Sequence, residues 1–397
     1  MNMLKTKQYR YPLVKSYFGG IKYKRQKMIF PPLLPASTKQ TGKDILIVKT
    51  DSIGDYVLMR NFFKWIKQTK KYRDANITLI LSSAMKDIAE YLDSDIIDTF
   101  LYVPHPFWRL SSAQQNQAFF KLFSKGLKHR YDSILFPSFN VSSFMNLNAM
   151  ILSEIQASET IARVGDLSIS NPDHMRFLSL FNQVVFNADG KNTFEFFNNK
   201  NFFETASGET MPLPLHTISL PKEQKSPYVV INPCAQDAFR MWHVQNYATV
   251  INTLIHHYRV PVYLIGTQSD KNTCDQLNAL CDNRCHLMIG KSFKDIILLM
   301  NNATLFIGND SACFHIAAAL KTPAICISAG MSYGRFVHYP PSSLYRIVFH
   351  PDIQRLLEQF MQDKKNENQF CPIFGAINSV SVNRVMDAIY QLEVFHE

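Results

Sequence analysis

The chain has 397 residues, 46% hydrophobic and 19% charged, a balance that excludes intrinsic disorder and, at this length, a single small scaffold; two domains around two cores are expected. Lys and Arg outnumber Asp and Glu, 42 to 32, for a formal net charge of +10, which favours anionic partners such as nucleotides, nucleic acid or an acidic membrane surface. No apolar run reaches the roughly 18 residues of a spanning helix, and no apolar core of signal-peptide length follows the basic N-terminus, so a cytoplasmic location is expected.

The charge excess is uneven. Residues 1–40 hold nine Lys/Arg, from Lys5 to Lys39, and no Asp or Glu, with Tyr9, Tyr11, Tyr17, Phe18, Tyr23 and Phe30 interleaved. Such an arm suits peripheral docking on the inner face of the cytoplasmic membrane; a solvated extension or a nucleic-acid contact has the same composition.

Beyond the arm, short Val/Ile/Leu runs alternate with segments of helical period, the pattern of parallel strands covered by crossover helices. Asp44–Val48 reads as a buried strand, Tyr56–Lys67 as a helix, and Ile77–Leu81 and Ser133–Phe136 as further strands. The pattern restarts with strands at Tyr228–Ile231, Val260–Ile265, Leu287–Ile289, Leu305–Ile307 and Ala324–Ile327. Helices are predicted at Val244–His257, Asp270–Leu280, Phe293–Asn301 and Ala312–Leu320. Between the halves, Thr205–Pro227 carries four prolines and reads as a linker. The expected organisation is therefore α/β: an arm (1–40), a first Rossmann-like domain (41–216) and a second (217–397), with the last helix expected to be able to pack back on the first. Ligands of such sheets bind at the carboxyl ends of the strands, which places the expected cleft there.

All seven cysteines fall between Cys234 and Cys371 with no CxxC pair, against both a disulfide framework and a zinc ribbon. Cys274, Cys281, Cys285 and His286 read better as reduced, partly buried residues than as a metal site, so no metal ligand is assigned.

Three strand-end loops carry chemistry. The first is Lys49-Thr50-Asp51-Ser52-Ile53-Gly54-Asp55. Gly54 permits a tight turn or close approach, and Asp55 is either a helix cap or a carboxylate that takes a proton from an acceptor hydroxyl, with Lys49 and Ser52 near the acceptor. With neither GxxxxGK[ST] nor GxGxxG present, nucleotide hydrolysis and a dinucleotide cofactor are not signalled. The second loop, Gly308-Asn309-Asp310-Ser311-Ala312-Cys313-Phe314-His315, opens a helix whose N–H groups and Ser311 hydroxyl form a receptor for phosphate. Asp310 reads as a cap or a ligand, and His315 as a packed residue or a source of charge beside a diphosphate. In the third, Asn232 to Trp242, Arg240 offers a phosphate fork and Trp242 a core anchor.

In their order, these segments resemble glycosyltransferase family nine, the lipopolysaccharide heptosyltransferases. The resemblance rests on ILIVKTDSIGDYVLMRNFFKWIK, VVINPCAQDAFRMWHVQNYATVINTL and GKSFKDIILLMNNATLFIGNDSACFHIAAALKTPAICI, and runs over roughly residues 44–395. It implies a GT-B fold, two Rossmann-like domains facing a cleft. It also implies inverting transfer of a sugar, typically heptose from an ADP-linked donor, to a hydroxyl of the lipopolysaccharide core, with no essential metal and no cofactor. Asp55 matches the general base. Arg240, Asp310, Ser311, Ala312 and His315 match the donor-binding positions, and Gln268 or Asp270 falls where the family has an acidic ribose or adenosine contact. Ala312 stands where the family commonly has Gly, and neutral Gln268 where a carboxylate is common; both bear on donor identity. The partners implied are a nucleotide sugar and a glycolipid, not nucleic acid. The alternatives are a GT-B transferase using another nucleotide-hexose and a non-catalytic nucleotide-sugar or nucleic-acid-binding module.

Overall fold

The structure, a computed structural model, describes residues 43–138, 145–164, 177–186, 194–211, 218–223, 226–331, 333–337, 339–340, 342–363 and 375–395. The basic arm and the boundary at 216/217 lie outside these residues. The described residues fall into two compact units, one drawn from Met1–Thr50, Lys70–Ser83 and Ile97–Phe186 and the other from Asp51–Thr69, Ala84–Ile96 and Asn187–Glu397.

The first unit holds a six-stranded parallel sheet of β1 (Asp44–Lys49), β2 (Asn76–Ser82), β3 (Thr99–Val103), β4 (Arg130–Phe136), β5 (Gln156–Val164) and β6 (Gln183–Phe186), in the order β3-β2-β1-β4-β5-β6. Ile45, Leu46 and Ile47 of β1 are fully buried, as a central strand covered on both faces requires. Helices α4 (Ser112–Phe120) and α5 (Met145–Glu154) belong to this unit. Leu46, Phe119, Ile134 and Ile151 share its core.

The second unit holds β7 (Val229–Asn232), β8 (Val262–Gly266), β9 (His286–Ile289), β10 (Leu305–Asn309), β11 (Ala324–Ile327) and β12 (Tyr345–Val348), all parallel in the order β12-β11-β10-β7-β8-β9. It also contains α1 (Ile53–Val57), α2 (Asn61–Ile66), α3 (Lys86–Asp93), α6 (Glu195–Ser207), α7 (Val244–His256), α8 (Lys271–Ala279), α9 (Phe293–Asn301), α10 (Ala312–Ala319), α11 (Pro351–Gln362) and α12 (Val382–Tyr390). The α/β class with two parallel sheets expected from the sequence is thus present. Strand order reverses between β7 and β10, and the crevice at such a reversal is where ligands of open sheets bind. The loops leaving those two strands carry Arg240 and Asp310–Ser311.

Two expectations are corrected. The helix read at Tyr56–Lys67 is two short helices, because the backbone tightens between them: Met59 N–H bonds the Tyr56 carbonyl and Phe62 N–H that of Met59. The linker begins later than Thr205, since α6 runs through Ser207 and ends on Gly208, whose φ of +75° is the left-handed cap that glycine tolerates. The final helix α12 is anchored in the second core. Val385, Ala388 and Ile389 pack into the second core with Trp242 and Ile325, and the Trp242 indole N–H donates to the Val380 carbonyl at 2.9 Å.

Candidate active site

The loop after β1 turns into α1, whose N-cap is Ser52, so Asp55 lies within the first turn and is not the cap. The Ser52 hydroxyl makes no capping bond to the backbone; it donates to Asp55 Oδ2 at 2.5 Å. The other carboxylate oxygen, Oδ1, accepts from Arg335 Nη2 at 2.8 Å. Arg335 Nε in turn donates to Glu195 Oε2 at 3.0 Å. Asp55 and Glu195 are both buried. Burial works against the charge of Arg335, but Glu195 and then Asp55 outweigh it and hold the guanidinium cationic. Lys49, the last residue of β1, is fully buried, and Ser52 is exposed.

Gly54 brings α1 against the start of α10. A Cβ added there would lie 2.9 Å from His315 Cδ2, 3.4 Å from His315 Nε2 and 3.8 Å from the Ala312 Cα. His315 is pinned on its other side, where Nδ1 and the Tyr339 hydroxyl are 2.7 Å apart and the two rings stack. Gly54→Ala is therefore expected to push the imidazole off its position and lower turnover by at least about tenfold; with overpacking costing about 1–3 kcal/mol, a lower melting temperature should accompany it. Unchanged activity and melting would show that the ring has room to move.

Asp310 precedes the N-cap of α10, which is Ser311, so Asp310 is not a cap either. Its carboxylate lies 3.7 Å from Arg240 Nη2, a loose ion pair. Arg240 ends a 3₁₀ turn, Ala238–Arg240. That loop is tied to β10 by fully buried Asn309, which accepts from the Trp242 N–H and the Tyr247 hydroxyl, both at 3.1 Å, and donates to the Pro233 carbonyl at 2.9 Å. Among the described residues, Arg240 Nε and Ser311 Oγ of this site are buried without a hydrogen-bond partner. A donor and a hydroxyl left unsatisfied beside a helix start are what an oxygen-rich anion would complete. Asp270 is otherwise engaged: its Oδ2 accepts from the Thr267 N–H at 2.8 Å and the Thr267 hydroxyl at 2.6 Å, a capping role. Gln268 is exposed beside Gly290.

Burial sets the protonation of the two central groups. It pushes the His315 imidazole down to about 4, against the pull of Asp55 and with the push of Arg240, so the ring is neutral at pH 7. Of the two sequence readings of His315, its burial and its contact with Tyr339 favour the packed residue. Burial also pushes the Asp310 carboxyl up to about 6, partly opposed by Arg240. Between about pH 4 and 6 folded Asp310 keeps a proton that the unfolded chain has lost, so its contribution to stability falls as pH rises through that window. The unfolded chain protonates His315 first as pH drops from about 6.5 to 4, so that contribution falls as pH is lowered. Each slope amounts to about 3 kcal/mol, and the two oppose each other. In urea titrations, Asp310→Asn is expected to lose stability on acidification across this range, and His315→Gln to gain it. The same pH dependence in both variants would refute the assignment.

Arg335, Glu195 and Tyr339 were not singled out from the sequence. The nearest signal is Gly330 and Gly334, both at positive φ, which punctuate the segment that carries Arg335. Among the described residues, no group of three or more His, Cys, Asp or Glu is placed to hold a metal ion.

Residues 167–366 match the model of glycosyltransferase family 9 (heptosyltransferase), half of the chain. The chain belongs to glycosyltransferase family 9. Two curated relatives are called lipopolysaccharide heptosyltransferase 3. One, from Escherichia coli K12, is 37% identical over 106 residues, 26% of this chain and 31% of its own length. The other, from Escherichia coli, is 29% identical over 165 residues, 40% and 47% of the two lengths. The chain thus spans about a third to a half of the curated relatives it matches. Among solved structures, a family 9 glycosyl transferase from Veillonella parvula DSM 2008 superposes with a TM-score of 0.64 at 13% identity, covering 88% of this chain and 97% of that one. Escherichia coli heptosyltransferase WaaC with ADP gives 0.64 at 16% identity, covering 88% and 99%. At such identities the likeness is one of fold, and it agrees with the GT-B class expected for this family 9 chain.

Proposed function

We propose that this family 9 chain is an inverting glycosyltransferase that moves heptose from an ADP-linked donor to a hydroxyl of the lipopolysaccharide core. The observation that supports it most is the meeting of Gly54 with His315 and Ala312, which brings the Asp55 turn to the mouth of α10, beside the unsatisfied Ser311 and Arg240 atoms. Relatives named as lipopolysaccharide heptosyltransferases and a neighbour solved with ADP-2-deoxy-2-fluoro heptose support the choice of donor and acceptor.

In the proposed step, the acceptor hydroxyl gives its proton to Asp55 as its oxygen bonds to the anomeric carbon. The bond from that carbon to the diphosphate oxygen breaks, and its electron pair leaves with the nucleoside diphosphate. Arg240, the Ser311 hydroxyl and the first N–H groups of α10 receive the developing charge, a preorganised arrangement worth more in a partly dry site than in water. Neutral His315 contributes shape and hydrogen bonding. No cofactor or metal is assigned a part in this step.

The test is a screen of ADP-heptose and of ADP- and UDP-hexoses, scored for nucleoside diphosphate release with and without a truncated core oligosaccharide. Acceptor-dependent release from ADP-heptose is expected. Release from another sugar nucleotide would replace the donor, a reading that neutral, exposed Gln268 favours, and no turnover with any donor would leave a binding module. Residues 1–40 are proposed to dock on an anionic membrane surface, at about 1 kcal/mol per nearby Lys or Arg. Co-sedimentation with anionic liposomes should weaken when that arm is removed. Among the described residues no helix is long and apolar enough to cross a membrane.

A further inference from the structure

Glu195 takes no part in the proposed proton transfer, yet it is fully buried at the start of α6 and paired with Arg335. Its carboxylate accepts from Arg335 Nε at 3.0 Å, and its backbone N–H donates to the Arg335 carbonyl at 2.8 Å. Phe194, one residue earlier, packs on Tyr339 with ring centroids 4.4 Å apart, and Tyr339 holds His315. Phe194 and Glu195, adjacent in the chain, therefore hold Tyr339, which contacts His315, and Arg335, which contacts Asp55.

The charges explain why a second carboxylate is useful there. With Asp55 ionised, one guanidinium serves two carboxylates. When Asp55 takes up a proton, Glu195 still lies at hydrogen-bond distance from Arg335, so the buried cation keeps a close counter-charge; weakening the pairing of a buried charge is strongly unfavourable. Without Glu195, more of the attraction of Arg335 would fall on Asp55 and favour its ionised form.

The other groups around Asp55 do not substitute. Ser52 is a neutral donor, His315 on α10 is neutral at pH 7, and Asp51 adds negative charge felt by Arg335. Arg240 acts on His315 and pairs loosely with Asp310. On α1 and α2, Tyr56 and Arg60 are turned to Asp93 of α3: the Tyr56 hydroxyl donates to it, and Arg60 donates from Nε at 3.1 Å and Nη2 at 2.7 Å.

Resting on the general-base reading of Asp55, we propose that Glu195 is a positioning residue: through Arg335 it fixes the Asp55 carboxylate and keeps the site balanced when that carboxylate accepts the acceptor's proton. Asp55 can then cycle between its two states without a buried, uncompensated cation in either.

The test is the pH dependence of kcat/KM for the full chain, with ADP-heptose and a truncated core oligosaccharide as probes. Glu195→Gln is expected to lower kcat by about 10- to 100-fold and to move the acid limb of the profile down by about one pH unit, in line with the effect of a close charge, with donor KM little changed. Glu195→Asp, which keeps the charge, should recover part of both. In an Arg335→Met background, Glu195→Gln should move the limb much less. A fall in kcat with the limb unmoved, or an equal movement without Arg335, would overturn the proposal. If Glu195→Gln does not fold, Arg335→Met alone decides: its acid limb should rise, and an unmoved limb refutes the idea. Failure of the general-base reading has a different signature, since Asp55→Asn would then keep its turnover.

Discussion

Asp55→Asn is expected to lose about 10²- to 10⁴-fold in kcat, the usual range for removing a general base, while donor affinity measured by calorimetry stays within a few-fold of wild type. The substitution keeps the shape of the side chain and an oxygen for Ser52 or Arg335 to meet, and Arg335 retains its bond to Glu195. Donor affinity should survive because the unsatisfied polar atoms, Arg240 Nε and Ser311 Oγ, are untouched. The expected pattern is therefore a low kcat with intact donor binding. Near-normal turnover would end the assignment of Asp55 as the base, and equal loss of binding and turnover would make it a structural residue.

Arg240→Met is the second large effect. Removing one preorganised donor from a developing anion costs about 10² to 10³ in rate. Arg240 is a partly exposed cation whose pair with Asp310 is loose at 3.7 Å and whose Nε lacks a partner, so its fork is poised for a ligand more than for the fold. Arg240→Met should therefore weaken ADP binding, leave adenosine binding unchanged and lower kcat with ADP-heptose by about 10²-fold or more. Arg240→Lys should restore part of the rate, because it returns the charge without the planar fork. Wild-type affinity for ADP in Arg240→Met would remove the diphosphate from this residue.

Much of the second sheet was legible in the sequence. Ala324–Ile327 and Phe293–Asn301 coincide with β11 and α9, and β7, β8, β9 and β10 lie within two residues of their predicted ends. Strands buried on both faces are continuous apolar runs bounded by polar loops, which is a local signal. β3, β5, β6 and β12 were missed because their burial is partial: the first four residues of β5, Gln-Ala-Ser-Glu, are polar or half-exposed, and β3, β6 and β12 are peripheral or edge strands with mixed faces. The Asp55, Arg240 and Ser311 loops were found because each follows a strand that was itself legible.

Short-range pattern and residue type suffice to place these loops at the carboxyl ends of strands and to name the acid, cation and hydroxyl they carry. Which of these groups face one another follows from the folded chain. Arg335 meets Asp55 across 280 positions of chain and Glu195 across 140, distances over which one sequence records no pairing. The fold also sets the direction in which burial moves the His315 and Asp310 titrations, because desolvation is produced by everything packed around a group and is absent from the group's own neighbours in the chain.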